Sequence, residues 1–136
     1  MSNSLELVKE FHLTYGQPVL PTPKVDDDKV NELRVRLLQE ELNELTLALD
    51  QRDIVGVLDA LTDLQYVLDG AYLSLGYHRL KDQALIEVHR SNLSKLDHNG
   101  KPIYREDGKI LKGMDYSPPD LKKIIEDMCP QVLNIK

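Results

Sequence analysis

Five carboxylates stand at spacings that suit a hard cation. Glu40, Glu41 and Glu44 lie in LLQEELNELTLAL, residues 37–49, and Asp59 and Asp63 lie in DALTD. Offsets of three and four residues place side chains on one face of a helix. Carboxylate oxygens are the ligands that Mg2+ and Mn2+ take. Acids gathered without a cation would repel one another, and burial would keep some of them protonated. A divalent cation removes that conflict. Only four His and one Cys accompany the acids, which argues against Zn2+.

The elements that carry these acids follow from periodicity and caps. Residues 3–15 predict a first helix, with Leu5, Val8 and Phe11 at helical spacing, joined by His12 and Tyr15, and Gly16 ends it. Pro18, Pro21 and Pro23 make an extended connector. Asp26 to Asp28 supply an N-cap and first-turn charge for a second helix over 27–50. DQRD, residues 50–53, is a short turn. A third helix covers 53–76 and ends at Gly76, and a fourth covers 79–96. Asn99-Gly100 and Asp107-Gly108 punctuate two short segments, KPIYR and KILKG, which predict a small β-hairpin. SPPDLKKIIEDM predicts a closing helix capped by Ser117, with the prolines in its first turn. The expected fold is an all-α bundle of four to five helices with a hairpin near the C-terminus, in one domain over residues 1–136.

At about 100° per residue, Leu33, Leu37, Glu40, Glu44 and Ala48 share one arc of roughly 80°, with Glu41 at its edge. Leu38, Leu42, Leu45 and Leu49 form an adjoining apolar stripe, and Arg34, Gln39 and Asn43 fall opposite. The glutamates therefore continue an apolar face. On the third helix, Asp59 and Asp63 share a face with Gly56, Gly70 and Ser74, and most other positions are apolar. A helix apolar nearly all round is covered on several sides, in a bundle centre or an oligomer. The short turn makes the two helices antiparallel. A hairpin centred on Gln51 and Arg52 sets Glu40 at the depth of Asp63 and Glu44 at that of Asp59. A lone EExxE is common on solvated faces. Followed by an antiparallel DxxxD at matching depth, it reads as a cation site, or else as an acid-lined, water-filled groove.

Composition bounds the function. At 136 residues, 41% hydrophobic and 29% charged, the chain suits one globular domain. The net charge of −6 offers no general attraction for a nucleic acid polymer. Cys129 alone allows no internal disulfide and fits a reducing compartment, and no apolar run approaches the roughly 18 residues of a membrane span. No signal-peptide pattern opens the chain. A cytoplasmic protein without membrane contact is expected.

EELNE and DALTD resemble the paired acidic motifs of the all-α NTP pyrophosphatases, the MazG-like group. That group includes dimeric dUTPase-like enzymes, dCTP pyrophosphatases and phosphoribosyl-ATP pyrophosphohydrolases. EFHLTYGQPV resembles the start of the phosphoribosyl-ATP-pyrophosphohydrolase-like branch, and EVHRSNLSKL, GKPIYREDGKILKG and YSPPDL resemble its later helix, hairpin and tail. The resemblance implies Mg2+- or Mn2+-dependent hydrolysis of a nucleoside triphosphate to the monophosphate and pyrophosphate, with two or more cations per site. It implies Glu41, Glu44 and Asp63 as metal ligands, and Glu40 as a further ligand or the base that orients the attacking water. Many relatives carry ExxD on the second acidic helix, whose first acid aligns with Ala60. Here the acid is Asp59, one residue earlier and about 100° round the helix. The resemblance also implies a homo-oligomer, a dimer or tetramer.

Donors elsewhere complete the candidate list. Arg90 and Lys95 could bind the β- and γ-phosphates, and Asn92 phosphate or base; Glu87 one turn before Arg90 is an alternative ion-pair partner. Lys109, Lys112 and Tyr116 could close over the phosphates, or stand on a solvated hairpin. His12 and Gln17 could line a base pocket, or serve the core. Three functions remain open: a (deoxy)nucleoside triphosphate pyrophosphohydrolase for nucleotide-pool control, a phosphoribosyl-ATP pyrophosphohydrolase, and a helical regulatory module that binds nucleotide or metal without turnover. Within the first, the substrate could be dUTP, dCTP, dGTP or GTP, a damaged nucleotide, or a purine in a phage's modified-base metabolism.

Overall fold

A computed structural model describes residues 4–134. Asn3, the expected first residue of the first helix, lies outside them. The chain divides into two compact units, residues 1–79 and 80–136.

In the first unit α1 spans Ser4–Tyr15, α2 Asp28–Asp50 and α3 Ile54–Leu75. Asp27 starts α2 by accepting the Val30 N–H at 3.3 Å, and Asp53 starts α3 by accepting the Gly56 N–H at 2.9 Å. Each satisfies one of the amides that a helix start leaves open. Gln51 and Arg52 form the reversal between them, and Arg52 takes a positive φ of 53°. Gly76 ends α3 at φ 81°, and the Tyr77 N–H closes back on the Tyr72 carbonyl at 2.7 Å. That is a left-handed helix terminator, and glycine suits it because it lacks a β-carbon.

The proline-rich connector is pinned along the end of α3. The Leu20 and Lys24 N–H groups donate to the carbonyls of Leu73 and Leu75, each at 3.0 Å. Ser74 Oγ donates to the Pro18 carbonyl at 3.1 Å. The two backbone bonds engage carbonyls of the last turn of the helix, where acceptors are left over. α2 packs along α3, and α1 packs on α3. The core beneath them is small and aliphatic: Val8, Ala48, Ala60, Ala71 and Leu73 are buried. Within one chain α3 is open along Ile54, Val55, Leu58 and Leu61, and Leu42 and Leu49 of the expected α2 stripe are exposed too.

In the second unit α4 spans Lys81–Leu93, entered through a 3-10 turn at His78–Leu80. It is shorter than the expected 79–96. The Ser94 hydroxyl donates to the Ser91 carbonyl, and the Lys95 carbonyl accepts the Gly113 N–H at 2.9 Å. Strands β1 (Ile103–Tyr104) and β2 (Ile110–Leu111) pair antiparallel around Asp107-Gly108, with Ile103 opposite Leu111. α5 spans Leu121–Met128 and precedes a 3-10 turn at Pro130–Asn134. Its cap is Asp120, which accepts the Lys123 N–H at 3.1 Å, rather than the expected Ser117. Ser117 is engaged elsewhere, its N–H donating to Ser94 Oγ at 2.8 Å, so both prolines precede the helix. The described residues thus form five α-helices and one hairpin, the all-α class expected. No described helix is long and apolar enough to cross a membrane.

Candidate functional site

The α2–α3 pair brings three of the five acids together. One oxygen from each of Glu41, Glu44 and Asp63 lies within 4.8 Å of the other two. Glu41 and Asp63 are half-buried, and Glu44 is exposed. Burial raises the pKa of Glu41 first, and the charges of Glu44 and Asp63 add to it, with Asp59 contributing last. Asp63 is raised by burial, then by Asp59 and Glu44. Asp59 is therefore close enough to act on the trio, although it is exposed and outside it. Glu40 is also exposed and outside the trio. The more enclosed acid is Glu41, from the edge of the predicted arc, one residue round the helix from Glu40.

The donor set fits a hard divalent cation. All three side chains are carboxylates, oxygen donors of the kind that Mg2+ and Mn2+ take. Glu41 Oε2 is enclosed and has no hydrogen-bond partner among the described residues. A buried carboxylate oxygen without a donor is costly, and a cation is the ligand that would satisfy it.

Further along the same pair lies a cavity of about 360 Å3, lined by residues of all three helices and by Gln17. His12 is buried there, and its Nδ1 lies 2.9 Å from the Pro18 carbonyl. That carbonyl can only accept, so the contact places the proton on Nδ1 and leaves Nε2 as an acceptor. Burial lowers the pKa of His12, against the raising effect of the Pro18 bond, and nearby Arg34 lowers it further; the neutral ring is favoured. Gln17 Oε1 accepts from Arg34 Nη2 at 3.0 Å. Phe11 and Tyr66 meet edge to face across 5.6 Å between ring centroids.

Arg34 corrects the helical-wheel expectation. Placed opposite the core face, it is instead only 6% exposed, because α1 and the segment after it cover that side of α2. No pattern within α2 could show this. Its contact with Gln17 is 17 residues distant in sequence, and Tyr66 likewise joins the cavity through α1.

The remaining candidates belong to the second unit. Arg90 donates to Glu87 through two groups, Nε at 2.8 and 3.0 Å to the two carboxylate oxygens and Nη2 at 2.5 Å, and once to the Pro118 carbonyl at 3.2 Å. The ion-pair alternative is thus the arrangement present. Lys112 Nζ stands 4.8 Å from the centre of the Tyr116 ring, and Ser91 Oγ donates to the Tyr116 hydroxyl at 3.5 Å. Asn92 and Lys109 are exposed, and Lys95 is half-buried.

Known proteins resemble this chain over most of its length. The sequence model of the phosphoribosyl-ATP pyrophosphohydrolase family matches residues 8–92. An uncharacterized protein of Acanthamoeba polyphaga mimivirus is 25% identical over 130 residues, which cover 92% of this chain. The matched segment is 49% of that viral protein, so the chain spans about half of its length. A crystal structure of a candidate NTP pyrophosphohydrolase from Exiguobacterium sp. 255-15 aligns over 98% of both chains, at 20% identity and a TM-score of 0.32.

Proposed function

The chain belongs to the phosphoribosyl-ATP pyrophosphohydrolase family, and on that premise we propose that it hydrolyses a (deoxy)nucleoside triphosphate to the monophosphate and pyrophosphate. The observation that carries this reading is the convergence of Glu41, Glu44 and Asp63 within the family-matched residues. These three would hold the first Mg2+ or Mn2+, and Asp59 and Glu40 would reach only a further ion where two or more bind. When bound, such ions supply charge neutralisation at the phosphate oxygens and a lowered pKa for water.

The chain's own residues would do the rest. A water oxygen bonds to the α-phosphorus, and the bond from that phosphorus to its bridging oxygen breaks. Pyrophosphate leaves with that oxygen. The water's proton passes to a carboxylate, Glu40 or Glu41. Glu40 suits this role because it stands beside the trio in sequence and is open to solvent. His12 and Gln17 would contact the base. Arg90, Asn92, Lys95, Lys112 and Tyr116 are proposed as donors to phosphate or base. Residues 1–136 would act as one pyrophosphohydrolase domain. A homo-oligomer, dimer or tetramer, would cover Ile54, Val55, Leu58 and Leu61, whose exposure in a single chain favours one. A cytoplasmic setting fits the single cysteine.

The family's own name favours a second reading, in which the substrate is phosphoribosyl-ATP. One panel separates them: dUTP, dCTP, dGTP, GTP and phosphoribosyl-ATP with Mg2+ or Mn2+, assayed for monophosphate-level product and pyrophosphate. Release from a triphosphate supports the first reading, and release from phosphoribosyl-ATP alone supports the second. Nucleotide binding with no turnover in either metal would favour a regulatory module.

A further inference from the structure

Arg34 has a donor that no described residue uses. The residue is 94% buried, since only 6% of its surface is exposed, yet its Nε finds no hydrogen-bond partner among the described residues. A buried guanidinium with an unused N–H is costly unless a ligand completes it. Arg34 lines the 360 Å3 cavity together with His12, Gln17, Phe11, Tyr66 and Gly70. Gly70 leaves the room: a β-carbon there would sit 2.8 Å from Arg34 Nη1 and 3.1 Å from His12 Nε2.

The polar lining has a definite hydrogen-bond sense. Arg34 offers only donors. Gln17 presents its amide NH2 as the free group, because its Oε1 is held by Arg34 at 3.0 Å. Of the Arg34, Gln17 and His12 side chains, only His12 leaves an acceptor free, Nε2, since Nδ1 is turned to the Pro18 carbonyl. Phe11 and Tyr66 supply an aromatic wall for a planar ring.

The cavity also lies at a suitable distance from the acids. Arg34 precedes Glu41 by seven residues on α2, and Gly70 follows Asp63 by seven on α3. Seven residues are about two turns, or about 10 Å along the pair, and they return to nearly the same face. That separation is comparable to the reach from the α-phosphate of a nucleotide to the far edge of its base.

We propose that this cavity is the base pocket and that Arg34 selects bases with a carbonyl in the position where adenine carries its amino group, namely guanine, uracil or thymine, over adenine. A carbonyl oxygen accepts from the Arg34 fork, as guanine O6 and N7 do in arginine–guanine pairs. The exocyclic amino group of adenine is a donor and would face other donors. The inference rests on the nucleotide reading of the acidic site, and it deepens that reading by naming the substrate class and its reader.

The test is binding of nucleoside 5′-monophosphates to the full chain in Mg2+, measured by calorimetry and thermal shift, beside pyrophosphate release from the matching triphosphates. dGMP, dUMP and dTMP are expected to bind roughly tenfold or more tightly than dAMP, and ribose 5-phosphate more weakly than any of the three. In Arg34→Lys, which keeps the charge and loses the fork, the ratio of dGMP to dAMP affinity falls toward one. Gln17→Ala, which frees the guanidinium to move, lowers the same ratio if Arg34→Lys does not fold. Binding of dAMP or ribose 5-phosphate as tight as that of dGMP overturns the proposal. So does a wild-type ratio in the folded variants, or no binding of any monophosphate. Pyrophosphate released from all triphosphates at equal kcat/KM would overturn the role of Arg34 while the hydrolytic function stands. A base preference in binding without any pyrophosphate release would support the pocket and overturn the hydrolytic function.

Discussion

Glu41 of α2 and Asp63 of α3 bring oxygens within 4.8 Å of each other, and the charge on Asp63 is one cause of the raised pKa of Glu41. Two half-buried acids this close repel one another when ionised, a cost that a bound cation would remove. Glu41→Gln or Asp63→Asn should therefore lower pyrophosphate release by at least about 100-fold, since each would remove a proposed ligand whose neighbours cannot replace it. Circular dichroism should show an intact fold, because the amide keeps the shape of the acid. Turnover at the wild-type level in either variant would remove these residues from the site.

The same pair makes metal-free stability depend on pH. Both carboxyls have folded pKa values raised above their ordinary ones, chiefly by burial. Below the ordinary pKa they are protonated in both states and cost the native state nothing. As pH rises through the raised folded pKa, the native state must ionise them against burial and repulsion, and stability is lost. In a chelator, Glu41→Gln should match the wild-type Tm near about pH 4 and exceed it increasingly toward pH 7. The measurement is the Tm difference across that range. A flat difference would mean that Glu41 meets no penalty on ionising.

Asp59 and Glu40 are expected to behave differently from the trio. Asp59 adds to the raised pKa of both Glu41 and Asp63 but stands outside their group. Asp59→Asn should weaken apparent Mg2+ affinity by about tenfold, in the range of groups that act through a ligand. Glu40→Gln should lower kcat and leave Mg2+ affinity nearly unchanged, as expected of a proton acceptor. Mg2+ titrations of turnover for the two variants separate these outcomes. A loss in Asp59→Asn as deep as in Glu41→Gln would make Asp59 a ligand of the same ion as the trio.

The acidic hairpin was legible in the sequence because its signals are local. Asp27 and Asp53 cap, Gly76 terminates, and EELNE and DALTD stand at helical spacings on two segments joined by a short turn. The family resemblance named the trio that the structure brings together, Glu41, Glu44 and Asp63, but helix geometry alone left the finer register open. One residue of rotation exchanges the roles of Glu40 and Glu41, and a helical wheel cannot resolve that when both border an apolar arc. Arg34 was misplaced for a different reason. Its burial depends on α1 and on Gln17, which reach α2 through tertiary packing rather than through any pattern within it. The caps of α5 show a third kind of miss. Ser117 and Asp120 both suit a helix start, and the contact of Ser117 with Ser94, 23 residues away, decides between them.

Gly76 is expected to be a stability position. Its φ of 81° disfavours any β-carbon, and one placed there would run into the Thr22 carbonyl, which is backbone. Thr22 belongs to the connector that Leu20 and Lys24 fasten to the end of α3, so it has little freedom to yield. Gly76→Ala should cost at least about 2 kcal/mol, from left-handed strain and the displaced segment together. Urea unfolding in a chelator measures it without the contribution of bound metal. A loss below about 0.5 kcal/mol would show that the connector is free to move.

Gly70→Ala should have the opposite character. The residue is helical, and the atoms its β-carbon would meet are side-chain termini, Arg34 Nη1 at 2.8 Å and His12 Nε2 at 3.1 Å. Overpacking is partly offset by the better helix propensity of alanine, so the net loss should be about 1 kcal/mol. The effect on substrate should be larger than the effect on the fold. Both displaced atoms line the cavity proposed for the base, while the three acids lie about two turns away along the helices. KM for the preferred triphosphate should rise roughly tenfold through the lost base contact, with the Mg2+ dependence of turnover unchanged. Steady-state kinetics at saturating Mg2+ measure the first, and a Mg2+ titration the second. An unchanged KM in a folded Gly70→Ala protein would mean that the base does not enter this cavity, and a shifted Mg2+ dependence would mean that the variant disturbs the acids instead.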